Sequence, residues 1–292
     1  MALIKLLIRH LTTYRYSRPV ALGPHRLMLR PRESQELRLC SMQLRIKPSA
    51  TVTWAQDVSG NTVAIANFQA MADTLVIESI AEVELHAAMW PVFEVAASAI
   101  NFPFPYGPED WIDLGALTVP QYPDPNDRLR TWSRNFVRSS PTDTLALLKD
   151  INAGVLAWVG YQSRLEEGTQ SPVQTLDRGW GSCRDMAVLF VEAVRTLGFG
   201  ARIVSGYINN PYQQGPAQPG SGTMHAWAEV YVPGAGWITF DPTNRSFGGA
   251  NLIPVAVGLD IRRVMPVAGD FVGASNAFCG MSVDVAVTPS LT

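Results

Sequence analysis

Along the first hundred residues apolar and polar positions alternate in short runs. Leu3 to Tyr16, Leu37 to Lys47, Thr51 to Ala55, Thr62 to Phe68 and Thr74 to His86 are rich in β-branched and aromatic residues. Proline, Asp-Val-Ser-Gly-Asn and Met-Ala-Asp-Thr breaks separate them. Several half-buried strands at this spacing predict a small β-sandwich. From about residue 126 the period lengthens. Asp127 to Val137 predicts a short helix, and Pro141-Thr142-Asp143 opens a longer one through Leu145, Leu148, Ile151, Val155, Leu156 and Val159. A third helix shows its apolar face at Met186, Leu189, Phe190, Ala193, Val194 and Leu197. Ser182 is a good N-cap, and Asp185 three residues on fits the acidic place of a capping box, so this helix begins at about Cys183. Ala201 to Ile208 then predicts a strand. Met224 to Val232 and Trp237 to Asp241 predict a hairpin across a Pro-Gly-Ala-Gly turn.

The breaks between these runs divide the chain. Residues 1–100 form an N-terminal all-β region, and 101–125 a linker whose prolines in Asn-Phe-Pro-Phe-Pro-Tyr-Gly-Pro and Pro-Gln-Tyr-Pro-Asp-Pro remove donors and fix φ. The aromatics among them predict a segment packed across the junction. Residues 126–250 carry the helices and the hairpin, and 251–292 a β tail with a last strand near Met281 to Val287. The expected class is α+β. Asn209 to Gly222, rich in Pro, Gly and Gln, predicts a loop, and its place before His225 makes it a candidate lid.

Composition narrows the function classes. With 292 residues, 47% hydrophobic content and a formal net charge of −2, the chain is long enough for more than one core and has no basic surplus to argue for nucleic acid. No run of eighteen apolar residues suggests a membrane span, and Lys5 and Arg9 interrupt the opening before it makes a signal-peptide core. Cys40, Cys183 and Cys279 are three, far apart and without metal-type pairs. That pattern favours a reducing compartment and predicts a cytoplasmic protein with no disulfide framework. Asp124 and Asp127 lack the ligand pattern of a calcium loop and read as turn and cap residues. No cofactor or metal is expected, and no oligomeric state follows.

The chemistry centres on Cys183. A free cysteine is often a small buried hydrophobe. A thiol at a helix start instead meets the positive end of the macrodipole and unpaired N–H groups, which favour thiolate; Arg184 adds to this and Asp185 opposes it. His225 near the start of one hairpin strand and Asp241 at the end of the next lie toward the hairpin's open end if pairing centres near Ala235. A thiolate needs a base to carry its proton, and the base needs a third group to fix its tautomer. Cys183, His225 and Asp241 can fill those roles in that order. A Cys/His/Asp metal site is chemically possible but lacks paired-ligand spacing. His10, His25 and His86 have no partner at a telling spacing and read as surface or packed side chains.

Four motifs carry a resemblance. Gly179-Trp180-Gly181-Ser182-Cys183-Arg184-Asp185, Arg202-Ile203-Val204-Ser205-Gly206-Tyr207, His225-Ala226-Trp227-Ala228-Glu229-Val230 and Gly236-Trp237-Ile238-Thr239-Phe240-Asp241-Pro242-Thr243-Asn244 resemble, in this order, the transglutaminase-like superfamily. Ile8 to Tyr16 with Gly23-Pro24-His25-Arg26-Leu27 looks like the N-terminal domain of its bacterial members. The resemblance implies a papain-like core over residues 126–250, with a catalytic helix on an antiparallel sheet, and a papain-type triad of Cys183, His225 and Asp241. It also implies a helix ending near an aromatic, where Tyr161 stands, and a short hairpin leading to the catalytic turn. Tyr161 and Trp180 become candidates for the oxyanion site or the cleft wall, beside the backbone N–H of Cys183. The implied activity is thioester formation from a peptide or protein amide. Hydrolysis by a cysteine protease or amidase leads; transamidation, or a binding module that keeps the fold, are the alternatives.

Overall fold

The computed structural model describes residues 3–163, 168–209 and 223–290. Its first third follows the alternation closely. β1 (Ile4–Leu22), β2 (His25–Leu27), β3 (Leu37–Lys47), β4 (Ala50–Gln56), β5 (Thr62–Phe68) and β6 (Met71–Leu85) form two antiparallel sheets. In β6 every second side chain from Leu75 to Leu85 is buried, the period a pleated strand imposes when one face is covered. The sheet of β1, β6 and β3 closes on that of β2, β5 and β4 over Leu22, Leu27, Ala66, Leu75 and Ile77.

The proline-rich segment holds more structure than its breakers suggest. Pro108 takes the first position of α1 (Pro108–Leu114), where its missing N–H has no partner to lose, and a 3₁₀ turn over Gly115–Thr118 follows. Its aromatics pack on the core: Phe102 stacks on Phe199 at 5.3 Å, and the Tyr106 hydroxyl donates to the Tyr231 carbonyl at 2.8 Å.

Four further helices follow: α2 (Arg128–Arg134), α3 (Thr144–Trp158), α4 (Pro172–Arg178) and α5 (Cys183–Thr196). Asp124 caps α2 by accepting from the N–H groups of Arg128 and Arg130 at 2.8 and 3.0 Å, and Asp143 caps α3 through Ala146 N–H at 2.7 Å. α4 replaces the expected short hairpin; it opens on a Ser171/Gln174 capping box. The sheet beneath α5 is antiparallel, in the order β9 (Gly236–Asp241), β8 (Thr223–Val232), β7 (Ala201–Ile208) and β10 (Leu252–Gly258). α5 is buried from Asp185 to Arg195, so its predicted apolar stripe is one side of a helix covered all round.

The tail is shared between the two regions. β10 joins the core sheet beside β7, whereas β11 (Phe278–Pro289) runs antiparallel to β1 from Leu6 to Tyr16. Leu6, Ile8, Val285 and Val287 enter the same hydrophobic cluster as Met186 and Phe190 of α5. Asn61 pins the sandwich to the core: its side chain exchanges two hydrogen bonds with the Val257 backbone, at 2.7 and 2.8 Å, as another strand would.

Candidate active site

The turn before α5 is held from both sides. α4 ends on Gly179, whose φ of 68° is the left-handed conformation glycine adopts without a Cβ penalty. Trp180-Gly181 then bridges Gly160-Tyr161 in parallel, which brings Tyr161 to the turn before α5. Asp185 accepts from Ser182 N–H and Oγ at 2.9 and 2.8 Å, and from Gln170 N–H at 2.7 Å. Its carboxylate is thus engaged by the turn, although its sequence position set it against a thiolate at Cys183. The cap fixes Cys183 as the first residue of α5. There the backbone N–H has no preceding helical turn to accept it.

The hairpin delivers the other two groups. Its register centres on Gly234, one residue before the expected Ala235, with Ala228 opposite Phe240 and Val232 opposite Gly236. Continued by one step, it sets Asp241 opposite Trp227, so His225 is the diagonal neighbour two residues on. His225 Nε2 and Asp241 Oδ2 lie 2.8 Å apart. Asp241 is itself held by Asn244, whose Nδ2 donates at 2.6 Å, and by Thr243 N–H at 3.0 Å. The Trp227 ring lies 5.9 Å from the imidazole in a stacked arrangement, and Gly206 allows it: a Cβ there would meet that indole at 2.7 Å. Cys183 acts on His225 from the other side of the ring, where Nδ1 is the nitrogen left to face it. The three groups therefore form a line, sulfur to imidazole to carboxylate. Metal ligands would converge on a point; among the described residues no group of three His, Cys, Asp or Glu side chains does so.

Electrostatics follow from this line. Burial works against charge on either partner, raising the thiol and lowering the imidazole, but their mutual contact reverses both. The Cys183 thiol falls below its ordinary value because His225, the Ala226 N–H and Arg184 favour the thiolate. His225 rises to about 10, against its own burial, because Asp241 and Cys183 favour the imidazolium. The thiolate and the imidazolium each favour the charged form of the other.

Cys183 and His225 face a cavity of about 370 Å³. Tyr161 borders it and is 54% exposed; burial and the nearby Cys183 charge raise its phenol, which also hydrogen-bonds Ser163. Trp180 does not wall this cavity. Arg178 stands over its ring at 5.6 Å and its carbonyl accepts from Gln170 at 3.2 Å, so it anchors the turn. Glu229 accepts from Arg202 Nε at 2.6 Å and takes no part beside His225. His10 was unreadable from spacing alone: it is buried, lies on the cavity and joins Thr12 at 2.8 Å and the Tyr207 hydroxyl at 3.2 Å. Only tertiary pairing reveals that role. The candidate lid, apart from Asn209, lies outside the described residues. All three cysteines are free.

Comparison with known proteins agrees with this architecture. Residues 6–84 match the bacterial transglutaminase-like N-terminal region and residues 130–242 the transglutaminase-like superfamily. An uncharacterised protein of Mycobacterium tuberculosis is 27% identical over 294 residues, spanning 95% of this chain and 91% of its own length, as is one from Mycobacterium bovis. The crystal structure of a candidate cysteine protease from Cytophaga hutchinsonii superposes with a TM-score of 0.73 at 18% identity, covering 100% of this chain and 93% of that one. Fold, motif order and both matched regions converge: the chain belongs to the transglutaminase-like superfamily, with a papain-like core preceded by the bacterial N-terminal region.

Proposed function

We propose that this protein is a cysteine-dependent acyl-transfer enzyme acting on peptide or protein amides, with Cys183 as nucleophile, His225 as acid and base, and Asp241 holding the imidazole. The observation that carries the reading is the line from Cys183 through His225 to Asp241, with 2.8 Å between imidazole and carboxylate. In the first step the sulfur attacks the amide carbonyl, forming a C–S bond. The C–N bond then breaks, and the leaving amine takes the proton carried by His225. The backbone N–H of Cys183 is the oxyanion donor, since it heads α5 unpaired and needs no side chain. In the second step His225 takes a proton from water as water attacks the thioester, releasing acid and free thiolate. Hydrolysis is the favoured outcome, since transfer to an amine needs a cleft that excludes water while admitting a second substrate.

The test is to trap the intermediate. Brief incubation with an activated peptide ester, acid quench and mass spectrometry should find the acyl group on the peptide containing Cys183, decaying to free acid. A parallel reaction with a primary amine reports the acceptor: an amide product in place of acid would make the enzyme a transamidase. Full turnover by Cys183→Ala would overturn the reading.

A further inference from the structure

The cavity beside Cys183 has a wall that the core does not supply. In the antiparallel pair of β1 and β11, Thr12 lies opposite Val283 and Tyr14 opposite Met281, so these four side chains share one face. All four line the cavity that holds Cys183 and His225. Further along the same face, Ile8 and Val287 are buried in the hydrophobic cluster with α5. The face is therefore built to be covered by apolar atoms. Where the cavity interrupts that cover, Met281 and Val283 remain 52% and 45% exposed, side by side and beside a nucleophile. Met265 and Pro266, backed by the buried Ile261 and Val264, also line the cavity.

Charge sharpens the choice of occupant. Among the described residues lining the cavity there is no carboxylate. The formal charges on the lining are the thiolate and the imidazolium, which answer each other, and Arg184, which has interactions of its own. His10 adds none between pH 5 and 9, because burial lowers it to about 4. A cationic side chain entering this space would give up its hydration against largely apolar walls, whereas an apolar one would release water from both walls. The volume of about 370 Å³ falls within the usual range for a small-ligand pocket.

We infer that the cleft selects acyl donors with an apolar side chain close to the attacked carbonyl, seated between Met281 and Val283 on one side and the 261–266 segment on the other. The N-terminal sheet, completed by the last strand of the chain, is then part of the substrate-binding site. This deepens the reading of Cys183 as an acyl acceptor and rests on it.

The test uses three haloacetamides on the full chain: iodoacetamide, its N-benzyl derivative and its N-(2-aminoethyl) derivative, each normalised to its rate with glutathione. At pH 7 the benzyl reagent should label Cys183 at least about tenfold faster than the aminoethyl reagent by the normalised rates. Met281→Lys combined with Val283→Lys should remove that ratio. If the double variant does not fold, as judged by its melt, Met281→Gln with Val283→Thr should lower the ratio by at least about threefold. A normalised ratio near one in the wild type, or a ratio that survives either folded variant, overturns the inference. Because the ratio can be read on a slow thiol as well as a fast one, this failure is separate from failure of the acyl-enzyme reading, which shows instead as absent thioester.

Discussion

The two ends of α5 each bury a charged group, and they do different things with it. Near its C-terminal end Arg195 and Glu192 pair at 2.6 Å, each with a side chain only 1% exposed. Arg195 also donates to the carbonyls of Leu117, Ala201 and Leu259, and Glu192 accepts from the N–H groups of Gln121 and Tyr122. Every formal charge there is answered by the other or by backbone, so the pair ties the proline-rich segment to the core. At the N-terminal end, Asp241 is as fully engaged, yet the chain of contacts runs out at a sulfur facing a cavity. Burial and charge alone do not mark a reactive site. What the proposed nucleophile has in addition is open space on one side.

That contrast can be broken at either end. Cys183→Ala should lower turnover of an activated peptide ester at least about 10⁴-fold while leaving the melt within about 1 kcal/mol, because the change removes only one sulfur atom from a half-buried side chain. Arg195→Met should do the reverse. It leaves Glu192 buried without its partner, so denaturant melts should show a loss of about 3–5 kcal/mol while activity per folded molecule is kept; a fall in kcat at unchanged stability would move this pair into the chemistry. Asp241→Asn should cut kcat by about 10³-fold with little change in KM, through loss of the correct imidazole tautomer. An effect confined to KM would assign Asp241 to substrate binding instead. Tyr161→Phe should lower kcat by no more than about threefold, because the Cys183 N–H serves the oxyanion; a loss of about 10²-fold or more would make the phenol a second donor.

Much of the site was legible because its signals are local. Ser182 and Asp185 mark where α5 begins, which puts Cys183 at its first position. The strand-turn-strand pattern from Met224 to Asp241 implies a hairpin, and any register near its turn brings His225 toward Asp241. What escaped is set by distant partners. Nothing in Phe278–Pro289 says that it pairs with β1 across the whole chain, so neither the apolar wall nor the place of His10 on the cleft could be read. Glu192 and Arg195 have the spacing of an ordinary exposed helical pair, and only the packing of residues 117–122 over them makes them internal. α4 was hidden for another reason: its seven residues are too few for a periodic stripe, leaving only the end signals of the Ser171/Gln174 cap, Pro172 and Gly179.

The most direct measurement is the alkylation rate of Cys183 by iodoacetamide between pH 5 and 9, mapped by mass spectrometry in wild type and His225→Ala. The lowered thiol and the raised imidazole define a window in which the thiolate–imidazolium pair persists: it opens below the ordinary thiol value of about 8.5 and closes only as pH rises through about 10. Below that ordinary thiol value Cys183 should therefore label well ahead of the exposed Cys40 and Cys279, and His225→Ala should shift its profile to higher pH. Labelling at Cys183 no faster than at those two surface thiols, or a profile indifferent to His225, would contradict an activated nucleophile at the head of α5.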